Sequence, residues 1–131
     1  MTSPRITKFH AVVWIDHQHA DIVQFDADES ATTSVKAHTH HTAQHGSDVR
    51  TGHEYFGQVC DALEGITEVL VTGGKTTLAD LRHYAEKHRP ATAARIVGWQ
   101  VVDHPSPRQL LAQAREFFLR HDRMAGVPTP T

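Results

Sequence analysis

Ala11-Val-Val-Trp-Ile15 is the longest uninterrupted apolar run in this chain of 131 residues. A short apolar run of this kind, bounded by polar residues, is typical of a strand that is buried on both faces. We therefore predict that this strand lies at the centre of a sheet, and the rest of the fold is predicted outward from it.

Two further strands follow the apolar run after short polar turns. Asp16-His-Gln-His19 forms the first turn, and residues 20–25 alternate between apolar and polar as a return strand does. A second turn, Asp26-Ala-Asp-Glu-Ser30, leads to residues 31–37, which are rich in threonine and valine. Because turns this short reverse the chain, these three strands should be antiparallel.

Helices and strands alternate in the second half of the chain. Three segments carry Ser or Thr followed three residues later by an acid or an amide, the pattern of a capping box at a helix start. These segments are Thr51-Gly-His-Glu54, Thr77-Leu-Ala-Asp80 and Ser106-Pro-Arg-Gln109. The predicted elements are helices over about 52–64 and 107–121 and, between them, a helix that follows the turn Gly73-Gly74-Lys75 and ends near Arg89-Pro90. Strands at 68–72 and 93–102 lie between these helices.

This order of elements predicts one α/β domain. Helical crossovers make the last two strands parallel to the first, with right-handed connections. The result is a ribonuclease-H-like, mixed five-stranded sheet of order 3-2-1-4-5 with helices on both faces. The domain should span residues 9–121, with flexible tails at 1–8 and 122–131.

The two edge strands of this sheet would be 3 and 5. Strand 5 is apolar, and an exposed apolar edge suggests a homodimer.

The composition is that of an ordinary soluble protein, with 39% hydrophobic and 21% charged residues. No apolar run approaches the roughly 18–20 residues that cross a bilayer, and the start lacks the apolar segment of a signal peptide. Cys60 is the single cysteine, so no internal disulfide forms and the thiol should lie in the core. We expect no membrane association and a cytoplasmic location.

The charges are distributed unevenly along the chain. Residues 1–74 hold four basic and ten acidic residues, net −6, whereas residues 75–131 hold nine basic and five acidic residues, net +4. Basic helices in the second half are either ordinary solvated faces or a surface for phosphates.

The stretch Val69-Leu-Val-Thr-Gly-Gly-Lys-Thr-Thr77 is the first candidate site. A strand that runs through glycines into a helix start can hold an anion with backbone N–H groups and a lysine. Val69 stands where a Walker A loop requires glycine, so a nucleoside-triphosphate loop is excluded. The alternative is a tight turn. The candidate phosphate or RNA contacts are Gly73, Gly74, Lys75, Thr76, Arg82 and Arg89.

A histidine-rich loop over residues 38–50 is the second candidate site. Imidazole nitrogens bind zinc and related transition metals. The candidate ligands are His38, His40, His41 and His45, and the alternative is a polar loop without metal. No other cofactor is expected.

Asp16 is the third candidate, because it directly follows the first strand. Ribonuclease-H-like nucleases place an acid there, and two-metal catalysis needs several converging carboxylates. Strand 4 ends in Val-Thr-Gly-Gly and supplies none. No Gly-x-Ser-x-Gly motif is present, so we assign no catalytic residue.

Several stretches resemble a small bacterial group labelled translational machinery protein. They are His10-Ala-Val-Val-Trp-Ile-Asp-His17, Val69-Leu-Val-Thr-Gly-Gly-Lys75, Ala94-Arg-Ile-Val-Gly98, and Val102-Asp-His-Pro105 with Gln109-Leu110. That group is similar in topology to the middle domain of archaeal and eukaryotic peptide-chain release factors and of Pelota. The resemblance covers about residues 9–120.

The resemblance implies a translation-associated module rather than a peptide-release enzyme. In release factors the loop between the third strand and the first helix carries a Gly-Gly-Gln tripeptide that triggers hydrolysis of peptidyl-tRNA. Here that loop contains Gln44 without a preceding Gly-Gly. The resemblance therefore implies a partner such as the ribosome or tRNA, without hydrolysis. A metal-binding protein and a metal-dependent nuclease are the alternatives.

Overall fold

The computed structural model describes residues 9–37 and 47–125, and in the second range the side chains of residues 52–124. In these ranges five strands form one sheet, and four helices connect or cover them. In chain order the elements are β1 His10–Ile15, β2 His19–Phe25, β3 Ser30–Lys36, α1 Ser47–Ala62, β4 Glu68–Gly73, α2 Lys75–His88, α3 Pro90–Arg95, β5 Ile96–Val101 and α4 Pro107–Ala125.

The sheet has the order β3-β2-β1-β4-β5, as predicted. β1 lies at its centre, antiparallel to β2 and parallel to β4, with Val13 opposite Ile22 on one side and Val71 on the other. β3 is antiparallel to β2, and β5 is parallel to β4. The apolar run Ala11–Ile15 therefore lies in the central strand, where both of its faces are covered.

Successive residues of β1 supply two separate cores because side chains alternate between the faces of a strand. Ala11, Val13 and Ile15 face α1 and α2, where they pack with residues such as Val59 and Leu81. On the other face, α4 covers a second core formed by Val12, Trp14, Val23, Phe25, Leu70, Leu110, Ala114 and Phe118. Helices on both faces were predicted, and the two cores confirm it.

The predicted start of α1 is wrong. The helix begins at Ser47, so residues 47–50 are helical rather than part of a loop, and Thr51 to Glu54 lie inside the helix instead of capping it. Ser47 and Asp48 are themselves residues that favour a helix start, which gives the helix an additional turn. Gly65, with φ of 83°, follows the helix in the tight turn that leads to β4.

The capping box predicted at Thr77 is also wrong. α2 begins at Lys75, and its N-cap is Gly74, which makes no side-chain capping bond. Thr77 is instead buried, and its hydroxyl lies 3.3 Å from Nε2 of His17. The side chain thus joins the helix to the β1–β2 turn.

A short helix replaces the start of the fifth predicted strand. Residues 93–95 belong to α3, and β5 begins only at Ile96. Pro90 occupies the first turn of α3, where its missing N–H costs nothing, and the alanines that follow favour a helix.

The C-terminal helix α4 extends past the predicted end of the domain. It continues to Ala125, so residues 122–125 are not a tail, and Asp122 is fully buried. The start of α4 confirms the capping box: the Gln109 N–H donates to Oγ of Ser106 at 3.2 Å, and the Ser106 N–H donates to Oε1 of Gln109 at 3.0 Å. Within the described ranges, no helix combines the length and apolarity needed to cross a bilayer.

Candidate functional site

The candidate site lies at the edge of the sheet where β1, β3, β4 and β5 end, which we call the carboxyl edge. These four strands run in the same direction, so Asp16, Ala37, Gly74 and Val102 all follow a strand there. In open α/β sheets, ligands bind outside the carboxyl ends of the strands. The helices α2 and α4 both begin at this edge, on opposite faces of the sheet.

Asp16 forms the turn between β1 and β2. Its Oδ1 accepts hydrogen bonds from the backbone N–H groups of Gln18 and His19, both at 2.7 Å. Partial burial acts to raise the pKa of Asp16, but these two donors and the nearby imidazoles outweigh it and lower the pKa. Among the described residues, Asp16 belongs to no cluster of three metal-binding side chains. Its Oδ1 therefore has a structural role in this turn.

The predicted phosphate contacts divide into two groups. Gly73, with φ of +150°, carries the chain around the end of β4, and Gly74 is extended. Lys75 and Thr76 are exposed in the first turn of α2. This arrangement presents a lysine and a helix start to solvent, as the anion-binding prediction requires.

The other two predicted phosphate contacts already hold protein partners. The Arg82 guanidinium pairs with Glu86 at 3.3 Å and lies 5.7 Å from the Trp99 ring. Arg89, at the far end of α2, donates to Oδ1 of Asp61 at 2.7 Å. Since both arginines have protein partners, Lys75 is the predicted cation with the greatest freedom to meet a ligand.

The predicted metal ligands His38, His40, His41 and His45 lie outside the described residues. Their segment joins β3 to α1, so in the chain it follows directly from the carboxyl edge. The Ala37 N–H just before it donates to the Gln18 carbonyl at 2.8 Å.

A cluster of two imidazoles and one carboxylate, which the sequence did not predict, lies at the carboxyl edge. His19, Asp21 and His104 place their potential ligand atoms within 4.8 Å of one another. Nε2 of His19 lies 3.6 Å from Oδ2 of Asp21, and the His104 ring stacks on Trp14 at 3.9 Å. His104 lies 85 residues from His19 in the chain, so no local spacing could have revealed the cluster.

A second cluster is buried at the opposite edge. Nε2 of His10 lies 3.0 Å from both Oε1 of Glu68 and Oδ2 of Asp122. Burial lowers the pKa of His10 in spite of Asp122, while burial and the adjacent Asp122 raise the pKa of Glu68 to about 7. These residues tie β1, β4 and α4 together. Oδ1 of Asp122 has no hydrogen-bond partner within the described part of the chain.

Two surface clefts flank the central strand. A cleft of about 270 Å³ adjoins the His19–Asp21–His104 cluster and is lined in part by Trp14, Thr32 and Ser34. A cleft of about 390 Å³ lies between α1 and α2 and includes His17, His53 and His83. Cys60 lies in neither cleft, and burial raises the pKa of its thiol to about 11, which makes it a poor nucleophile.

The fold is similar to that of archaeal proteins of known structure. Pelota of Archaeoglobus fulgidus aligns with 89% of this chain at a TM-score of 0.56 and 16% identity, and Pelota of Thermoplasma acidophilum with 87% at 0.56 and 14%. The archaeal translation termination factor aRF1 aligns with 89% at a TM-score of 0.58 and 10% identity.

These similarities concern the fold alone because the identities are low. The chain spans 32% of the length of each Pelota protein and 42% of the aRF1 chain. No protein-family model matches the sequence, and no curated protein matches it. The chain therefore has the α/β fold of part of these translation factors, as its sequence predicted.

Proposed function

We propose that this protein is a non-catalytic, cytoplasmic module that binds the ribosome, tRNA or a translation factor. The observation that supports it most directly is the fold shared with parts of Pelota and aRF1. The finer resemblance to the bacterial translational machinery group rests on the sequence stretches given above. The segment between β3 and α1, which carries the Gly-Gly-Gln tripeptide in release factors, here holds the histidines and would contact the partner without hydrolysis.

The placement of free cations supports a phosphate-bearing partner. Lys75 and Arg108 are exposed in the first turns of α2 and α4, so both lie at the carboxyl edge. Neither forms an ion pair with the residues that the structure describes. The partial positive charge of a helix N-terminus adds to each side chain.

A pair of double variants tests this proposal. Lys75→Ala/Arg108→Ala removes the two cations at the carboxyl edge. Lys87→Ala/Arg123→Ala removes the same charge from the opposite ends of the same two helices, where both side chains are also exposed. Binding is measured by co-sedimentation of untagged protein with purified ribosomes and by titration with tRNA, over a series of salt concentrations.

We expect wild-type binding that weakens steeply with salt, because phosphate contacts release counterions. The Lys75→Ala/Arg108→Ala variant should bind more weakly and lose about two from the slope of log K against log salt, about one per contact. The matched variant should behave like wild type. A phosphate-bearing partner is ruled out if wild-type protein binds neither ribosomes nor tRNA, and only a translation factor would then be left as partner. The assigned surface is wrong if both variants weaken binding equally.

The nuclease alternative has its own test. Cleavage of RNA or DNA by wild-type protein with Mg²⁺ or Mn²⁺ that disappears in Asp16→Ala would replace the non-catalytic proposal. Because Asp16 Oδ1 holds the β1–β2 turn, the unfolding midpoint of this variant must be measured alongside.

A further inference from the structure

We propose that His19, Asp21 and His104 form a binding site for one divalent transition-metal ion of the zinc type. The three side chains come from two separated parts of the chain: His19 and Asp21 from one face of β2, and His104 from the segment between β5 and α4. This site is independent of ribosome or tRNA binding. It is also distinct from the histidines at 38, 40, 41 and 45.

The spacing of the ligand atoms fits a metal ion. Residues two apart on a strand project to the same side, which brings His19 beside Asp21. Their atoms Nε2 and Oδ2 are 3.6 Å apart. Metal bonds of about 2.0–2.1 Å place two ligand atoms of a tetrahedral site about 3.3 Å apart. His19 and Asp21 therefore need to approach by only a few tenths of an ångström, and the ligand atom of His104 lies within 4.8 Å of theirs.

Each proposed ligand is oriented by a neighbouring group, which distinguishes this cluster from an ordinary surface ion pair. Nδ1 of His19 faces Oδ1 of Asp16 at 3.6 Å, so its proton can point to that carboxylate while Nε2 remains free to bind metal. Carboxylate–histidine–metal arrangements of this kind fix the tautomer and the ring orientation.

The other two ligands are held in the same way. The Ser34 hydroxyl donates to Oδ1 of Asp21 at 2.8 Å, which leaves Oδ2 toward His19. The Trp14 ring stacks on His104 with an interplanar angle of 14°, and the Trp14 indole N–H donates to the Asp103 carbonyl at 3.2 Å. The ligands therefore have restricted orientations before an ion binds.

The donor set selects the class of ion. Two imidazoles and one carboxylate suit zinc and neighbouring transition metals better than Mg²⁺ or Ca²⁺, which prefer oxygen ligands. Three protein ligands leave at least one position open for water or another ligand. The cleft of about 270 Å³ beside the cluster gives that position room, and the exposed His104 gives an ion access from solvent.

The buried His10–Glu68–Asp122 cluster is a weaker candidate for a metal. Nε2 of His10 already contacts both carboxylates at 3.0 Å, and all three side chains are almost fully buried. An ion could therefore enter only if α4 moved away from the sheet. The carboxyl-edge cluster requires no such movement.

The experiment is a Zn²⁺ titration of tag-free, chelator-treated protein by calorimetry, with Co²⁺ absorption to report coordination. The variants are His19→Gln, His104→Gln and the orienting variant Ser34→Ala. Two controls separate this site from other histidines. His83→Gln removes an exposed imidazole of α2, and His38→Asn/His40→Asn/His41→Asn/His45→Asn removes those of the β3–α1 segment. Unfolding midpoints show that each variant is folded.

We expect wild-type protein to bind one Zn²⁺ per chain. His19→Gln and His104→Gln, which each remove a ligand, should lower the affinity for Zn²⁺ by about 100-fold. Ser34→Ala should lower it by about 10-fold, within the range measured for groups that orient metal ligands. Both control variants should retain this site. The proposal is overturned if wild-type protein binds no Zn²⁺, or if His19→Gln and His104→Gln bind it as tightly as wild type does.

Discussion

At the scale of single residues, Gly73 determines the shape of the carboxyl edge. Its φ of +150° lies in a region that side chains with a Cβ rarely adopt, and an added Cβ would collide with the Ile15 carbonyl of the adjacent strand. Its own carbonyl accepts a hydrogen bond from the Val102 N–H at 3.0 Å. One glycine thus keeps the ends of β1, β4 and β5 in register.

We predict that Gly73→Ala lowers the free energy of unfolding by about 1–3 kcal/mol, because both the backbone conformation and the close strand contact are lost. Gly74→Ser is the matched control. Gly74 has no atom within 4 Å of an added Cβ, and its extended conformation suits an N-cap serine. Urea unfolding should show the control to be at least as stable as wild type. Equal stability of Gly73→Ala and wild type would contradict the assigned constraint.

At the scale of elements, α4 is attached to the sheet by polar contacts as well as by its core. Asp122 contacts His10 of β1, and Nη2 of Arg115 donates to the Asp26 carbonyl after β2 at 3.0 Å. Phe118 lies between these contacts, 4.3 Å from the His10 ring. Glu68 also contacts His10, so it belongs to the same buried cluster as Asp122. A change in the protonation of Glu68 therefore affects how α4 packs on the sheet.

The pKa of Glu68, about 7 in the folded protein, gives a prediction for pH dependence. The folded state holds the Glu68 proton more tightly than the unfolded chain does, so this group makes stability fall as pH rises from about 4.5 to 7. Glu68→Gln should remove that fall. Between pH 4.5 and pH 8 the variant should therefore lose less unfolding free energy than wild type does, by on the order of 1–3 kcal/mol. The measurement is urea unfolding across this pH range.

Glu54→Gln is the control for charge, because Glu54 is exposed on α1. Its unfolding free energy should follow the wild-type pH profile. The lowered pKa of His10 acts in the opposite sense, by reducing stability as pH falls below about 6.5, and it remains in both proteins. A Glu68→Gln profile parallel to wild type would show that Glu68 ionises normally.

At the scale of the whole molecule, the two edges of the sheet differ in character. β3 exposes mainly serine, threonine and lysine, whereas β5 ends in Val101, which is 66% exposed. An apolar edge strand offers unpaired backbone groups beside side chains that favour burial.

We propose on this basis that the protein forms a homodimer through β5. Light scattering at micromolar concentrations should give twice the monomer mass of 14.6 kDa. Val101→Lys should return the mass to that of a monomer, because a charge on an edge strand opposes pairing. Ala31→Lys, which adds the same charge to the β3 edge, should remain dimeric. A monomeric wild-type protein would disprove the proposed assembly.

The sequence predicted the sheet well because its evidence is local. The run from Ala11 to Ile15, the short turns and the helical crossovers determine strand order. The errors occur where several local solutions compete: Thr51 and Thr77 have the composition of caps but lie within helices, and Pro90 begins a helix that the strand pattern of 93–102 concealed.

The clusters could not be predicted because they depend on contacts between distant residues. His10 and Asp122 are 112 positions apart, and His19 and His104 are 85 apart. One signal was available: Asp122 continues the stripe of Leu110, Ala114 and Phe118 on the buried face of α4. An acid in such a stripe requires a buried partner, although its identity is known only once α4 is placed on the sheet.

The contact between His10 and Asp122 has a consequence for protein architecture. It brings the first described strand and the last described helix to the same corner, so the two ends of the described domain lie side by side. A unit with this geometry can be inserted into a larger host, or circularly permuted, without displacing the flanking parts. The same fold occupies 32% of the Archaeoglobus fulgidus Pelota chain. Adjacent ends are what the insertion of such a unit into a longer chain requires.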